Sequence, residues 1–375
     1  SKPKTSGLTK KANKQITNAG VIIPAMENPV PFSPKPLSSN INSDVNSEYL
    51  PSLSADEELL IYTVRARSQE DLYFSIKKDN GEWGLGEPIE RVNTADNEAA
   101  QSVSADGRLL IFTQCSKKVG FGSCDLYFSG FRNGRWSTPL NMGDNINTIY
   151  WESQPSITNN GRTLYFSSTR EGGFGGKDIY VSHLEKGKWS KPINLGNIIN
   201  TPGDEESPFV HQDGETMYFM SNGHPGLGDF DLFISRKAND EWQGPKNLGY
   251  PINSQASEGA MIVNLNGNEG YYATDRKYLR NENEAARPET DIYMFELYPA
   301  IRPQPVTFVK AKVIDQETGD LLGAKVEIID LSNNKVIYDG STLGVDDFLA
   351  CLPSGRNYGL NVSKKAICFT LSILN

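Results

Sequence analysis

Short runs of alternating apolar and polar residues fill most of the chain, and clusters of Gly, Asn, Asp and Pro separate them. From Ser153 onward, "SQPSIT" alternates, "NNG" turns, and "TLYFSS" alternates again. "TREGGFGGK" then forms a longer loop, "DIYVSH" a third strand, and "EKGKWSKPINL" a turn and a fourth strand. Period-two alternation bounded by turn residues predicts β-strands with one face buried.

This four-strand unit recurs. Trp83, Trp136, Trp189 and Trp242 follow one another at intervals of 53 residues. An Asp-apolar-aromatic triplet begins at Asp71, Asp125, Asp178, Asp231 and Asp291. Turns recur at Asp56-Glu57, Asp106-Gly107, Asn160-Gly161, Asp213-Gly214 and Asn266-Gly267, and eight residues before each lies Glu48, Glu98, Glu152, Glu205 or Glu258. A period near 50 means a stacked array or a propeller, and four antiparallel strands per copy make a propeller blade. The fifth copy lacks a tryptophan segment, whereas "SPKPLSSNINSDVNSE" near the N-terminus matches "STPLNMGDNINTIYWE" of an inner copy. Residues 34–43 are therefore expected to supply the outer strand of the last blade, which closes the ring and removes its open edges. The fold expected is all-β: a five-bladed β-propeller over residues 32–298, with six blades the rival count, then a small β-sandwich.

Glycines crowd the loop "GGFGGK" ahead of Asp178. A phosphate cradle would need Gly-Lys-Ser/Thr or a helix after the glycines; here Lys177 precedes Asp178 and a β-type run follows. The loop reads as a tight reversal where glycine admits positive φ.

Whole copies, in "SADGRLLIFT", "GGFGGKDIYVS" and "PINLGNIINTPGDEESP", resemble the WD40-like propeller repeat of TolB-type and OmpA-family periplasmic proteins. That resemblance covers about two-thirds of the chain. It implies a periplasmic, outer-membrane-associated protein, docking an envelope protein on its loop face as a scaffold and not acting as an enzyme. After a proline-rich linker (299–305), residues 306–375 resemble a carboxypeptidase-regulatory-like domain. The likeness rests on Asp315, Thr318 and Gly319 in a turn and Ala324, Val326 and Ile328 in a strand; the family's acidic glycine turn is altered to "LGVDDF". The family often has helical repeats before the propeller, so residues 1–31 are read as an N-terminal segment ending such a region, centred on 10–28. Residues 366–375 depart from the family pattern and read as the product of a one-base slip at Lys364-Lys365, leaving the sandwich incomplete.

Charge narrows the partners. The chain holds 37 basic and 46 acidic residues, a formal net charge of −9, which disfavours nucleic acid or an anionic membrane surface. No apolar run approaches the ~20 residues of a membrane span. The polar N-terminus lacks a signal-peptide core, so the chain reads as cytoplasmic or as a processed secreted protein. Cys115 and Cys124 flank one turn, where a disulfide would suit an oxidising periplasm. His183, His211 and His224 show no metal-binding spacing, and no G-x-S-x-G elbow occurs.

The recurring glutamates are the strongest chemical candidates, and three readings stay open. First strands line a propeller channel, so Glu48, Glu98, Glu152, Glu205 and Glu258 are expected to enter it from one face. They could accept backbone N–H bonds that lock neighbouring blades, hold a structural cation, or act as substrate carboxylates. The recurring aspartates are expected to bond their own turns, and the tryptophans to pack between outer strands, with sugar stacking for any that prove exposed. The rival function is a glycan-binding or glycan-cleaving propeller; a metal-stabilised ring is a third reading.

Overall fold

The computed structural model describes residues 18–116, 120–255, 257–274, 290–342 and 348–364, with the backbone of 367–369 and 373–374. Among them, helix is confined to 18–27 and to a 3-10 turn at Pro299–Ile301.

Five antiparallel sheets follow one another along the chain. The third is typical: Glu152–Ile157, Thr163–Ser168 and Asp178–Glu185 run side by side, with Ile193–Asn194 at the outer edge. The innermost strands of the others are Ser47–Leu53, Asn97–Val103, Glu205–Val210 and Met261–Val263. Each innermost strand contacts that of the next sheet, and the fifth contacts the first. The sheets thus form a closed succession and resemble propeller blades.

The expected closure is present. Lys35 and Pro36 pair with Met294 and Tyr293 as the outer strand of the fifth sheet. Asn42 secures the join: its Nδ2 donates to Ile292 O at 2.9 Å, and Ile292 N–H donates to its Oδ1 at 2.9 Å. Asn93, Asn147, Asn200 and Asn253 clasp Leu72, Leu126, Ile179 and Leu232 in the same way. Asn42→Ala would strand the buried Ile292 N–H, while Leu37 N–H still reaches the Ile292 carbonyl. The expected cost is about 1–3 kcal/mol, read as a lower urea midpoint; an unchanged midpoint would remove this role from Asn42.

Tryptophans fill the wedges between sheets. Trp136 of the second sheet packs on Ile61, Leu72 and Ile89 of the first, and Trp242 of the fourth on Tyr165, Ile179 and Val181 of the third. The fifth sheet has no tryptophan at this place, and Tyr298 together with the segment that follows it supplies the substitute. Ile301 is buried against Ile234 and Leu248 of the fourth sheet, the Tyr298 hydroxyl donates to Leu248 O at 3.0 Å, and Arg236 Nη2 donates to the carbonyls of Ala300 and Arg302.

Beyond it, Val306–Ala311 pairs with Phe348–Pro353, and a second sheet holds Lys335–Ser341, Lys325–Asp330 and Tyr358–Lys364. Val326 and Ile328 of the second sheet share a core with Phe348, Ala350 and Leu352 of the first. The Asp315 carboxylate accepts from Glu317 and Thr318 N–H, forming the expected turn. In the altered "LGVDDF" segment, 343–347 lie outside the described residues. Of the tail after Lys364, the backbone of 367–369 and 373–374 pairs with Tyr358–Lys364; the rest lies outside the described residues. This C-terminal unit covers one side of the ring. Ala55, Ala105 and Leu265, beside the turns that join first to second strands, pack on Val306, Leu349 and Cys351, and Lys310 pairs with Asp56 at 3.0 Å.

Candidate interaction face and axial channel

On the side of the ring opposite the C-terminal unit lie the glycine loops and the connectors from one sheet to the next. Each glycine loop is folded around its aspartate. Asp178 accepts the N–H of Phe174 at 2.6 Å and of Gly175 at 3.1 Å, and the Asn194 amide at 2.8 Å. Asp125 does the same with Phe121, Gly122 and Asn141, and Asp231 with Leu227 and Gly228. Asp71 is the third residue of the third strand of the first sheet, Gln69–Ile76, and its Oδ1 accepts from Gln69 Nε2 at 3.4 Å. Asp291 starts its strand just after residues outside the description. Gly175 is needed for close approach, since a Cβ there would sit 1.8 Å from Gly203 O. The cages hold two aromatic tips in solvent: Phe121 is 48% exposed and Phe174 49%. Ile149, 76% exposed, lies on the connector whose Tyr150 carbonyl accepts the Ser123 N–H of the Phe121 loop at 3.1 Å.

Glu48, Glu98, Glu152 and Glu205 stand at the start of their first strands, Glu258 three residues ahead of its strand, and all five bond back to the connectors. Glu98, Glu152 and Glu205 each accept the backbone N–H and the hydroxyl of a threonine four residues earlier, Thr94, Thr148 and Thr201, at 2.6–2.8 Å. Serines serve Glu48 and Glu258: Ser43 at 2.8 Å and Ser254 at 2.7 Å. Glu152 also meets the Arg170 guanidinium at 3.3 Å. All five are buried. Burial pushes the Glu48 carboxyl up to about 8, with the Ser43 hydrogen bonds opposing and Asp291 adding to the rise. It pushes Glu98 up to about 6 and raises Glu205. The backbone N–H bonds expected of these carboxylates thus come from the connector rather than from a neighbouring strand. Among the described residues, no three Asp, Glu, His or Cys side chains are grouped to hold a metal ion.

The expectation that the glutamates line the channel is corrected. The first strands do surround it, but the lining comes from 50–52, 100–102, 154–156, 207–209 and 260–262, one triplet per sheet. A bulge follows the glutamate in four sheets, where Leu50, Ala100, Gln154 and Ser207 take positive φ near 50°. The extra residue changes which side chains face inward. Ser52, Ser102 and Ser156 accept the N–H of Val103, Ile157 and Val210 in the next sheet, so serines make the sheet-to-sheet locks. The space between these triplets is about 40 Å³, room for a few waters and not for a sugar ring.

The other candidates are dispersed. His211 Nε2 lies 3.0 Å from Asn264 O, His224 Nε2 lies 2.8 Å from Ile199 O, and His183 lies beside Thr163. Trp189 is half-buried against the second sheet. Trp151, outside the 53-residue series, is half-buried with Lys177 Nζ 4.8 Å from its ring. Cys115 and Cys124 form the expected disulfide, pinning the glycine loop of the second sheet, and Cys351 is a buried free thiol. No helix among the described residues is long and apolar enough to cross a membrane.

Solved structures match the chain at low identity and with TM-scores below 0.5. TolB from Acinetobacter baumannii matches over 68% of this chain at 15% identity and a TM-score of 0.44, and the chain spans 55% of that protein. The putative TolB from Agrobacterium tumefaciens matches over 86% of this chain and 97% of its own, at 14% identity and a TM-score of 0.43. The α-L-arabinofuranosidase PaAbf62A from Podospora anserina, in complex with cellotriose, matches over 70% of this chain and 94% of its own, at 11% identity and a TM-score of 0.45. No protein-family model matches the chain, and no curated protein does. The expectation that the chain is not an enzyme is withdrawn, because glycoside hydrolases stand among its structural neighbours. Fold alone does not separate the two roles.

Proposed function

We propose that this chain is a five-bladed β-propeller joined to a small carboxypeptidase-regulatory-like β-sandwich, and that it docks an envelope protein on its glycine-loop face in the periplasm, at the outer membrane. The observation that carries the reading is the pair of solvent-exposed phenylalanines, Phe121 and Phe174, each held in an aspartate cage. A rigid exposed aromatic loses little freedom on binding, which is what an interface anchor needs. The opposite face is engaged by the chain's own C-terminal unit. The Cys115–Cys124 disulfide supports an oxidising compartment.

The test is affinity capture from an envelope extract with two baits, the full chain and its Phe121→Ser/Phe174→Ser variant. One envelope protein retained by the first and lost by the second is the expected result. Equal retention by both would remove the phenylalanine tips from the docking site, and binding on a glycan array in its place would favour the carbohydrate reading.

A further inference from the structure

An asparagine followed by glycine sets a side-chain amide next to a backbone nitrogen that no Cβ shields. The chain has five such pairs, beginning at Asn80, Asn133, Asn160, Asn222 and Asn266. In four of them the nitrogen is engaged. The Gly81, Gly161 and Gly267 N–H groups donate to the carbonyls of Lys78, Thr158 and Asn264 at 2.8–2.9 Å, and the Gly223 N–H donates to the Ser221 hydroxyl at 3.0 Å. The side chains of Asn80, Asn160 and Asn222 are held as well, by Glu82, by Thr158 and Arg162, and by Asp204. Asn133 differs on both counts. Neither its amide nor the Gly134 N–H has a hydrogen-bond partner among the described residues, and both residues are exposed.

The pair forms the two-residue turn of the hairpin that delivers Trp136, with Phe131 opposite Trp136 and Arg132 opposite Arg135. Its φ angles are 53° and 74°, both positive as in a type I′ turn. We propose that Asn133 is a site of spontaneous deamidation that loosens the Trp136 wedge. The Gly134 nitrogen attacks Cγ of Asn133, the new C–N bond closes a succinimide, and the side-chain nitrogen leaves as ammonia with the Gly134 proton. Water then opens the ring. Addition at Cγ gives aspartate; addition at the main-chain carbonyl gives isoaspartate, whose backbone runs through Cβ and Cγ. Isoaspartate thus adds a methylene to the main chain of a two-residue turn, which no longer fits both the Arg132–Arg135 pair and the seat of Trp136 against the first sheet. The matching turns of the third and fourth sheets, Lys186-Gly187 and Asn239-Asp240, also take positive φ. The first has no side-chain amide to attack, and in the second the Asp240 side chain crowds the nitrogen.

Ageing the full chain in mildly alkaline buffer and mapping its peptides by mass spectrometry tests this. Cleavage after aromatic residues releases Arg132–Trp136. The expected result is a gain of one mass unit in that peptide, with isoaspartate as a separately eluting isomer. It should accumulate about tenfold or more faster than in the peptides holding Asn80, Asn160, Asn222 and Asn266, because a bonded N–H must first be released. The urea midpoint of the aged chain should fall in step with the isoaspartate fraction. Asn133→Lys copies the turn of the third sheet and should stop both changes. An unmodified Arg132–Trp136 peptide overturns the proposal, as does faster gain at any of the other four asparagines. A midpoint that stays constant while isoaspartate accumulates, or that falls equally in aged Asn133→Lys, removes the link to the Trp136 wedge. The mapping is made on the parent chain, so the modification site is decided however the variant folds.

Discussion

Replacing Trp136 with alanine is expected to lower the unfolding free energy by about 3–5 kcal/mol. The indole sits 8% exposed between two sheets, against Ile61, Leu72 and Ile89 of the first and Leu110 and Phe112 of its own. Strand pairing is nearly complete within each sheet, so cohesion between sheets depends on such wedges and on the serine locks. The side chain comes from a two-residue strand, Arg135–Trp136, paired only with Phe131 and Arg132. That short hairpin cannot readily collapse into the space left, which places the cost toward the upper part of the range. Chemical denaturation provides the measurement. A loss below about 1 kcal/mol would mean that the wedge closes without the indole.

Stability should also fall as pH rises, and Glu48 should account for most of the slope. Its carboxyl is pushed from 4.5 up to about 8 by burial at the ring closure. A group whose folded pKa lies above its unfolded value favours the folded state when protonated. The contribution is therefore fully present below pH 4.5 and is lost as pH rises through about 8. Glu98, raised to about 6, adds a smaller loss in the lower part of that window. Glu48→Gln keeps an acceptor for the Ser43 hydroxyl and cannot ionise. The variant should be close to the parent chain at pH 5 and more stable by a few kcal/mol, in order of magnitude, at pH 8.5. Parallel melting temperatures for the two proteins across this range would show that the Glu48 carboxylate is solvated as readily in the folded chain as in the unfolded one.

Much of this architecture was legible in the residues. The 53-residue tryptophan interval and the glutamate eight residues before each turn mark the five sheets, because each copy must repeat the contacts that bury its neighbour's face. The aspartate cages were legible because Asx bonding to a glycine turn is local chemistry. So was the closure, because its outer-strand sequence is a copy of four others. The clasp asparagines escaped notice, although Asn93, Asn147, Asn200 and Asn253 each lie 21 residues after the residue they hold. Asn42 breaks that interval, since its partner Ile292 lies 250 residues away.

The axial channel shows where sequence reading stops. Counting alternate residues from Glu152 turns its carboxylate inward, but Gln154 takes φ of 54° and the register shifts between Ser153 and Ser156. No glycine marks the bulge, so nothing local announces it. Likewise, Tyr298 and Ile301 stand in for a fifth tryptophan without resembling one, because the wedge accepts any apolar side chain the chain can deliver there. Sequence alone determined the repeat, the strand order within each copy, the loop cages and the closing strand, all set by short-range periodicity and turn chemistry. Tertiary structure decided which side chains reach the channel, which face the C-terminal unit covers and which loop tips stay bare. Those outcomes depend on packing between segments far apart in the chain, where alternation and turn residues carry no information.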